Sequence, residues 1–321
     1  VEQACAMALG EPPADTDTRI ATERALAAEM ADTHLRRLLI DWPPQFGFEP
    51  RLNRFAEFHR QLIAPLDPDT AFALGGEVLD LVAREMLAGF FNQIRMPHGI
   101  GEFIDRLNAG GSLSSVMNGL ITMGAASPPP GGPIQLLGML SAAAWVSSIG
   151  TWPSADFVRH PTFGGAPAET GPLARHAQSP LVRLLLERGH RVSARLFAKA
   201  IDVADCASRM RYPFTDDVPA LVDAVQAAPA VGMARVTTAR GALLCWVKIA
   251  DGVIADCAMV PAGAWNFHPE GPFCREAVSG PEAGEDLEGA RKRLTVLALA
   301  LDPSIAHNVD IVERPAGKKR A

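Results

Sequence analysis

No two cysteines in this chain are spaced as CxxC, and the five present (Cys5, Cys206, Cys245, Cys257 and Cys274) are an odd number. That argues against a disulfide framework and points to a reducing cytoplasm. Positive charge is not in surplus either. With a formal net charge of −6, the chain has no reserve of cations for a phosphate backbone, which argues against a general nucleic-acid binder. The longest apolar stretch, Ile134 to Ile149, contains Gln135 and several small or polar residues. It is too short and too polar for a membrane span. No secretory signal opens the sequence, and no internal repeat divides it.

What is present reads as globular: 321 residues, 48% hydrophobic and 21% charged, enough for one large domain or two small ones. The sequence begins Val1-Glu2-Gln3-Ala4-Cys5-Ala6 with no initiator methionine, and is read as a fragment whose natural start lies upstream. The basic tail Lys318-Lys319-Arg320 is short and expected to be solvated.

Helices dominate the first two-thirds. Asp15-Thr16-Asp17 offers N-cap oxygens to a helix with an apolar stripe of Ile20, Leu26, Met30, Leu35, Leu38 and Leu39, ended by Trp42-Pro43-Pro44. Asp67-Pro68-Asp69 should start another, running through Leu79, Val82, Met86 and Phe90. Helices are also expected over 101–121, 134–149 and 181–209, with a Pro-rich loop over 126–133. Residues 151–180 should form a packed irregular loop. Residues 235–260 alternate like strands about the turn signal Asp251-Gly252, and 287–301 form a last helix. The expected fold is mainly α with a small β-hairpin region (α+β).

Four segments in this order carry a family resemblance. Pro161-Thr162-Phe163-Gly164-Gly165 followed by Gly171-Pro172-Leu173-Ala174-Arg175 resembles a "P-R-Y-x-G … G-P-L-A-R" loop. Ala239-Arg240-Gly241-Ala242-Leu243 with Asp251-Gly252 resembles a "P-R-G-A-L … D-G" hairpin. Trp265-Asn266 within residues 260–273 resembles "P-T-x-W-N", and Asp302-Pro303-Ser304-Ile305-Ala306-His307 stands where "D-P-C-x-x-C" is expected. Together they resemble the [NiFe]-hydrogenase large subunit over the whole chain, most closely from Thr151 onward. The resemblance implies one domain over 1–321, with a helical part to about 150, a loop and helical part to about 230, and a hairpin and final helix after it.

The departures matter as much. Catalytic members hold nickel and iron with two cysteine pairs, soft donors suited to these metals. Here Ser304 and His307 replace the C-terminal pair, and Asp310 stands at a nearby histidine position. A serine hydroxyl is a poor ligand, and imidazole does not readily bridge two metals. The N-terminal pair would precede Val1, since the opening residues resemble the "C-x-V-A-[HQ]-x-x-A" that follows it, with Gln3 at the His/Gln position. The main ligand cysteines are thus expected upstream. Cys5, near that motif, is a candidate ligand or a packing residue; His307 is a candidate single ligand or a solvated histidine. The trio Cys257, His268 and Cys274 fits no common zinc spacing and is read as packing, as are Cys206 and Cys245.

The resemblance places Arg240 over the metal centre, where its planar fork would donate charge-assisted hydrogen bonds to cyanide. A salt bridge or hairpin cap is the plainer alternative. Ala239 replaces a proline beside it, and Gly263 stands where a hydroxyl often helps hold a cyanide. Arg175 is expected to brace its loop. Retained arginine with lost thiolates resembles the HupK/HoxV-type hydrogenase assembly proteins. That implies a non-catalytic scaffold, holding Fe(CN)2CO transiently and no nickel, with the apo large subunit and assembly chaperones as partners. The rival reading is a structural subunit of a hydrogenase- or complex I-like assembly.

Overall fold

The computed structural model describes residues 1–93, 95–126, 132–214, 219–278 and 285–312. Most of the expected Pro-rich loop, and the basic tail, lie outside them.

The chain opens with α1 (Glu2–Leu9). The next helix, α2 (Thr16–Arg36), starts where the cap signal puts it: Asp15 accepts from the Thr18 amide at 2.8 Å. It loosens into a π-helical turn, Arg37–Asp41, and a 3-10 turn over Pro43–Phe46, where proline has no N–H to continue the ladder. After α3 (Leu52–Leu62), which carries no cap signal, α4 (Pro68–Asp80) starts on Asp67, whose carboxylate accepts from the Asp69 and Thr70 amides. A π-helical turn over Leu81–Met86 extends it. The single helix expected over 101–121 is two, α5 (Ile100–Leu107) and α6 (Ser112–Thr122), parted by residues of positive φ.

The expectation of a helix over 134–149 holds only in its second half. Gln135–Leu136 forms β1, paired in parallel with β2 (Ala168–Glu169), and α7 spans Ala142–Ile149. The loop over 151–180 is packed but not wholly irregular: it contains α8 (Ala155–Arg159), β2 and α9 (Pro172–His176). Two helices, α10 (Pro180–Glu187) and α11 (Arg191–Arg211), replace the one expected over 181–209. Helix α11 is central, packing against α2, α4, α9, α10 and α14 (Leu287–Leu301). Around it lies the main core, in which Phe90, Phe103 and Phe197 meet with centroids 5.0–5.5 Å apart.

The sheet is larger than the hairpin read from the sequence. It is a four-stranded antiparallel meander of β3 (Val222–Ala228), β4 (Val231–Thr238), β5 (Gly241–Ala250) and β6 (Val253–Val260). One face packs Met233, Leu244, Trp246 and Val260 against Trp145 of α7 and Trp265 of α12 (Ala262–Asn266). The other packs Ala234, Cys245 and Val247 beneath α1. Helix α13 (Pro272–Val278) then leads towards α14. Among the described residues, no helix is long and apolar enough to cross a membrane.

Helix α1 can lie on the sheet because of one missing side chain. A Cβ at Gly232 would overlap the Ala4 carbonyl and come within 2.8 Å of the Ala8 amide. Gly232→Ala is therefore expected to cost about 1–3 kcal/mol through overpacking, read as a lower denaturant midpoint. An unchanged midpoint would show that α1 does not rest on β4 in this way.

Candidate functional site

The turn between β4 and β5 carries Arg240, and its shape is set by a neighbouring loop. Thr238 Oγ1 accepts from the Arg240 amide at 3.2 Å and donates to the Gly241 carbonyl at 2.8 Å. Gly241 has φ 132°, and a Cβ there would press on Thr170. Gly171, at φ 118°, faces back: its Cβ would sit 2.9 Å from the Arg240 carbonyl. Thr170 Oγ1 accepts from the Ala242 amide at 2.9 Å. The Gly171–Arg175 segment and the Arg240 turn are thus keyed together, with Ala239 buried behind. Arg175 braces its loop as expected, donating to Asp202 at 2.9 and 2.5 Å and to the Thr238 carbonyl at 3.2 Å.

Beneath Arg240 lies a carboxylate that sequence reasoning had treated only as part of a motif. Asp302 caps α14 in the left-handed region (φ 59°, ψ 67°) and is buried. It accepts from Lys199 Nζ at 2.7 Å and from Arg37 Nε at 2.8 Å, while Arg240 Nε stands 3.5 Å away. Burial alone would raise this carboxyl, but Lys199 and Arg37 outweigh it and hold it well below the ordinary carboxylate range. Burial pushes Lys199 down, and the charge of Asp302 opposes that. Arg37 also binds Asp41 and the Pro303 carbonyl, at 2.6 and 2.8 Å, so its fork is fully engaged.

Arg240 is not so engaged. Its guanidinium is one-third exposed and makes no hydrogen bond among the described residues; the approach to Asp302 is an ion pair only. It stands between two spaces. Behind it is a cavity of about 10 Å³, roughly the room one water needs, lined by Glu169, Thr170, Lys199, Asn266 and Asp302 among others. Asn266 ties this cavity together, accepting from the Thr170 amide at 3.0 Å and donating to the Leu301 carbonyl at 3.3 Å. In front is an open cleft of about 830 Å³.

The cleft gathers Arg240, Ser304, His307 and Asp310. Two other candidates lie elsewhere. Cys5 packs with Cys245 and Val247 on the outer face of the sheet and lines neither space, so its environment is that of a packing residue. Gly263 on α12 also lines neither; Asn266, three residues on, is the one that reaches the cavity. Ser304 is exposed and so is His307, whose Nδ1 lies 3.3 Å from the Ile305 carbonyl. Among the described residues, no three His, Cys, Asp or Glu side chains come together as a metal-ligand set. Cys257, read as buried from the sequence, is exposed because β6 is an edge strand, whereas Cys206 and Cys245 are buried as expected.

The residues missed in the sequence are Lys199, Arg37, Asp302 as a hub, and Asn266 as a bridge. A signal for the first existed: Arg195, Lys199 and Asp202 recur at helical spacing inside a segment otherwise rich in apolar residues.

No family model matches the chain. Among curated proteins it is 32% identical over 151 residues to the hydrogenase expression/formation protein HupV of Azotobacter chroococcum, covering 47% of this chain and 40% of the relative. It is 31% identical over 160 residues to HupK of Rhizobium leguminosarum, covering 50% and 42%. The matches thus span well under half the length of those relatives. Among solved structures it superposes on the Ni-Fe-Se hydrogenase of Desulfovibrio vulgaris Hildenborough with a TM-score of 0.55 at 16% identity, covering 94% of this chain and 83% of that one. An NAD+-reducing [NiFe]-hydrogenase gives 0.53 at 12% identity, covering 94% and 82%. The chain has the fold of the [NiFe]-hydrogenase large subunit and is related in sequence to hydrogenase expression/formation proteins.

Removing the Asp302 charge leaves Lys199 and Arg37 buried without it. Asp302→Asn is expected to cost about 3–5 kcal/mol at neutral pH. Because the folded carboxyl is depressed, the advantage of the wild type is complete above the ordinary carboxylate range near pH ~4. It shrinks as pH falls towards the lower folded value. Denaturant unfolding of both proteins from pH 7 downward checks this; a gap that persists unchanged into acid would refute the assignment.

Proposed function

We propose that this protein is a hydrogenase maturation factor that holds an iron unit bearing cyanide and carbonyl, Fe(CN)2CO, at Arg240 and passes it to an apo hydrogenase large subunit. The observation that carries the reading is a guanidinium on a locked turn, left without a hydrogen-bond partner among the described residues, at the edge of a wide cleft. The names of its sequence relatives, hydrogenase expression/formation proteins, point the same way.

The chemistry follows from the geometry. Cyanide nitrogen is an anionic acceptor, and a planar guanidinium offers it charge-assisted hydrogen bonds. The cavity behind Arg240 has room for about one water, so the cargo would lie on the cleft side. There, Ser304 offers a neutral hydroxyl and His307 a single imidazole. Neither substitutes for a bridging thiolate, so nickel would not be captured and catalysis is not expected. Soft donors for iron would come from the cysteines expected ahead of Val1. Such hand-over would take place in the cytoplasm, with assembly chaperones and the apo large subunit as partners.

The test is infrared spectroscopy on the full-length protein, purified anaerobically from cells that express the cofactor-assembly machinery. Cyanide and carbonyl stretching bands are expected, weakened or shifted in Arg240→Ala. Their absence, while the same cells mature an active hydrogenase, would leave a structural subunit as the better account.

A further inference from the structure

The cleft in front of Arg240 is far larger than an iron unit of a handful of atoms requires, and its chemistry differs from that of the rest of the molecule. The chain as a whole is acidic, with a net charge of −6. Yet the cleft is lined by Arg36, Arg291 and Arg240, none of whose guanidinium groups makes a hydrogen bond among the described residues. Arg36 and Arg291 are exposed, one beside the π-helical turn after α2 and the other on α14, so they face the space from two walls. Of the carboxylates there, Asp41 is taken by Arg37 at 2.6 Å, leaving Asp310. Such a surplus in a concave space focuses a local positive field.

The third wall is formed by residues 304–310, which adopt neither helix nor strand. Among the described residues, their backbone amides and carbonyls have no hydrogen-bond partner except for the Ile305 carbonyl beside the His307 ring. A row of open backbone donors and acceptors is what an added extended segment pairs with.

We infer that this cleft is a docking groove for an acidic, extended segment of a partner polypeptide. Arg36 and Arg291 receive its carboxylates, and the 304–310 backbone pairs with its main chain. The contacts assigned to the segment are those of Arg36, Arg291 and the 304–310 backbone, so the inference stands whether or not iron is carried at Arg240.

The test is isothermal titration calorimetry of the protein with a synthetic hexaglutamate peptide. The same peptide N-methylated at alternate residues keeps the charges but removes half of the backbone donors. Inorganic phosphate serves as the competing free anion. Saturable binding is expected, weakened about 5-fold or more in the Arg36→Ala/Arg291→Ala double variant and by added salt. Both side chains are exposed, so the variant should fold; circular dichroism checks that it does. The N-methylated peptide should bind more weakly than its parent. No binding, equal binding by the folded double variant, or equal binding of the N-methylated peptide would overturn the inference. So would displacement by an equal concentration of phosphate, which would mark a free-anion site instead.

Discussion

A charge buried in a protein interior has to meet its opposite there, because removing either partner strands the other in a medium that solvates it poorly. Helix α11 carries three such charges along one side, and each is answered from a different part of the chain. Arg195 binds Glu169 of β2 and Glu276 of α13; Lys199 binds Asp302 at the end of α14; Asp202 receives His34 of α2 with Arg175 and His176 of α9. Burial works against the ionised form of each group, and the partners outweigh it at Asp202 and Arg195. The pairs set how α2, α9, α13 and α14 stand about the central helix. The site inherits its geometry from them.

Against that background the unsatisfied groups stand out. Arg37, Arg175 and Arg195 each have acceptors around their forks, as buried guanidinium groups need. Arg240 sits among them, in contact with the same carboxylate as Lys199, and is left with open donors. The chain therefore positions a cation without consuming its hydrogen-bonding capacity. That combination is what a site for a reversible anionic ligand requires, and a purely structural arginine does not.

Much of this was legible in the sequence, and the failures have common causes. Local signals held: Asp15 and Asp67 cap their helices, Asp251-Gly252 turns β5 into β6, and 287–301 is the last helix. What failed was non-local. Strands β3 and β4 hold Asp223, Gln226, Gly232 and Arg235 among short apolar residues, and pairing within the sheet outweighs that weak pattern. The β1–β2 pair is two residues long and joins segments more than thirty residues apart. The motif residues Arg240, Ser304 and His307 do share one cleft. Asp302 and Lys199 could not be ranked above other charged residues, because sequence does not distinguish a buried ion pair from two solvated ions.

The keyed contact between Thr170-Gly171 and Arg240-Gly241 bears on how such a chain can vary. Each glycine leaves space for the other segment, and Thr170 holds the Ala242 amide. Neither segment is a module. A side chain added at either glycine position would need a shift in the facing segment. Drift in this region is therefore confined to paired changes. Keeping both glycines therefore keeps the Arg240 turn at the edge of the cleft.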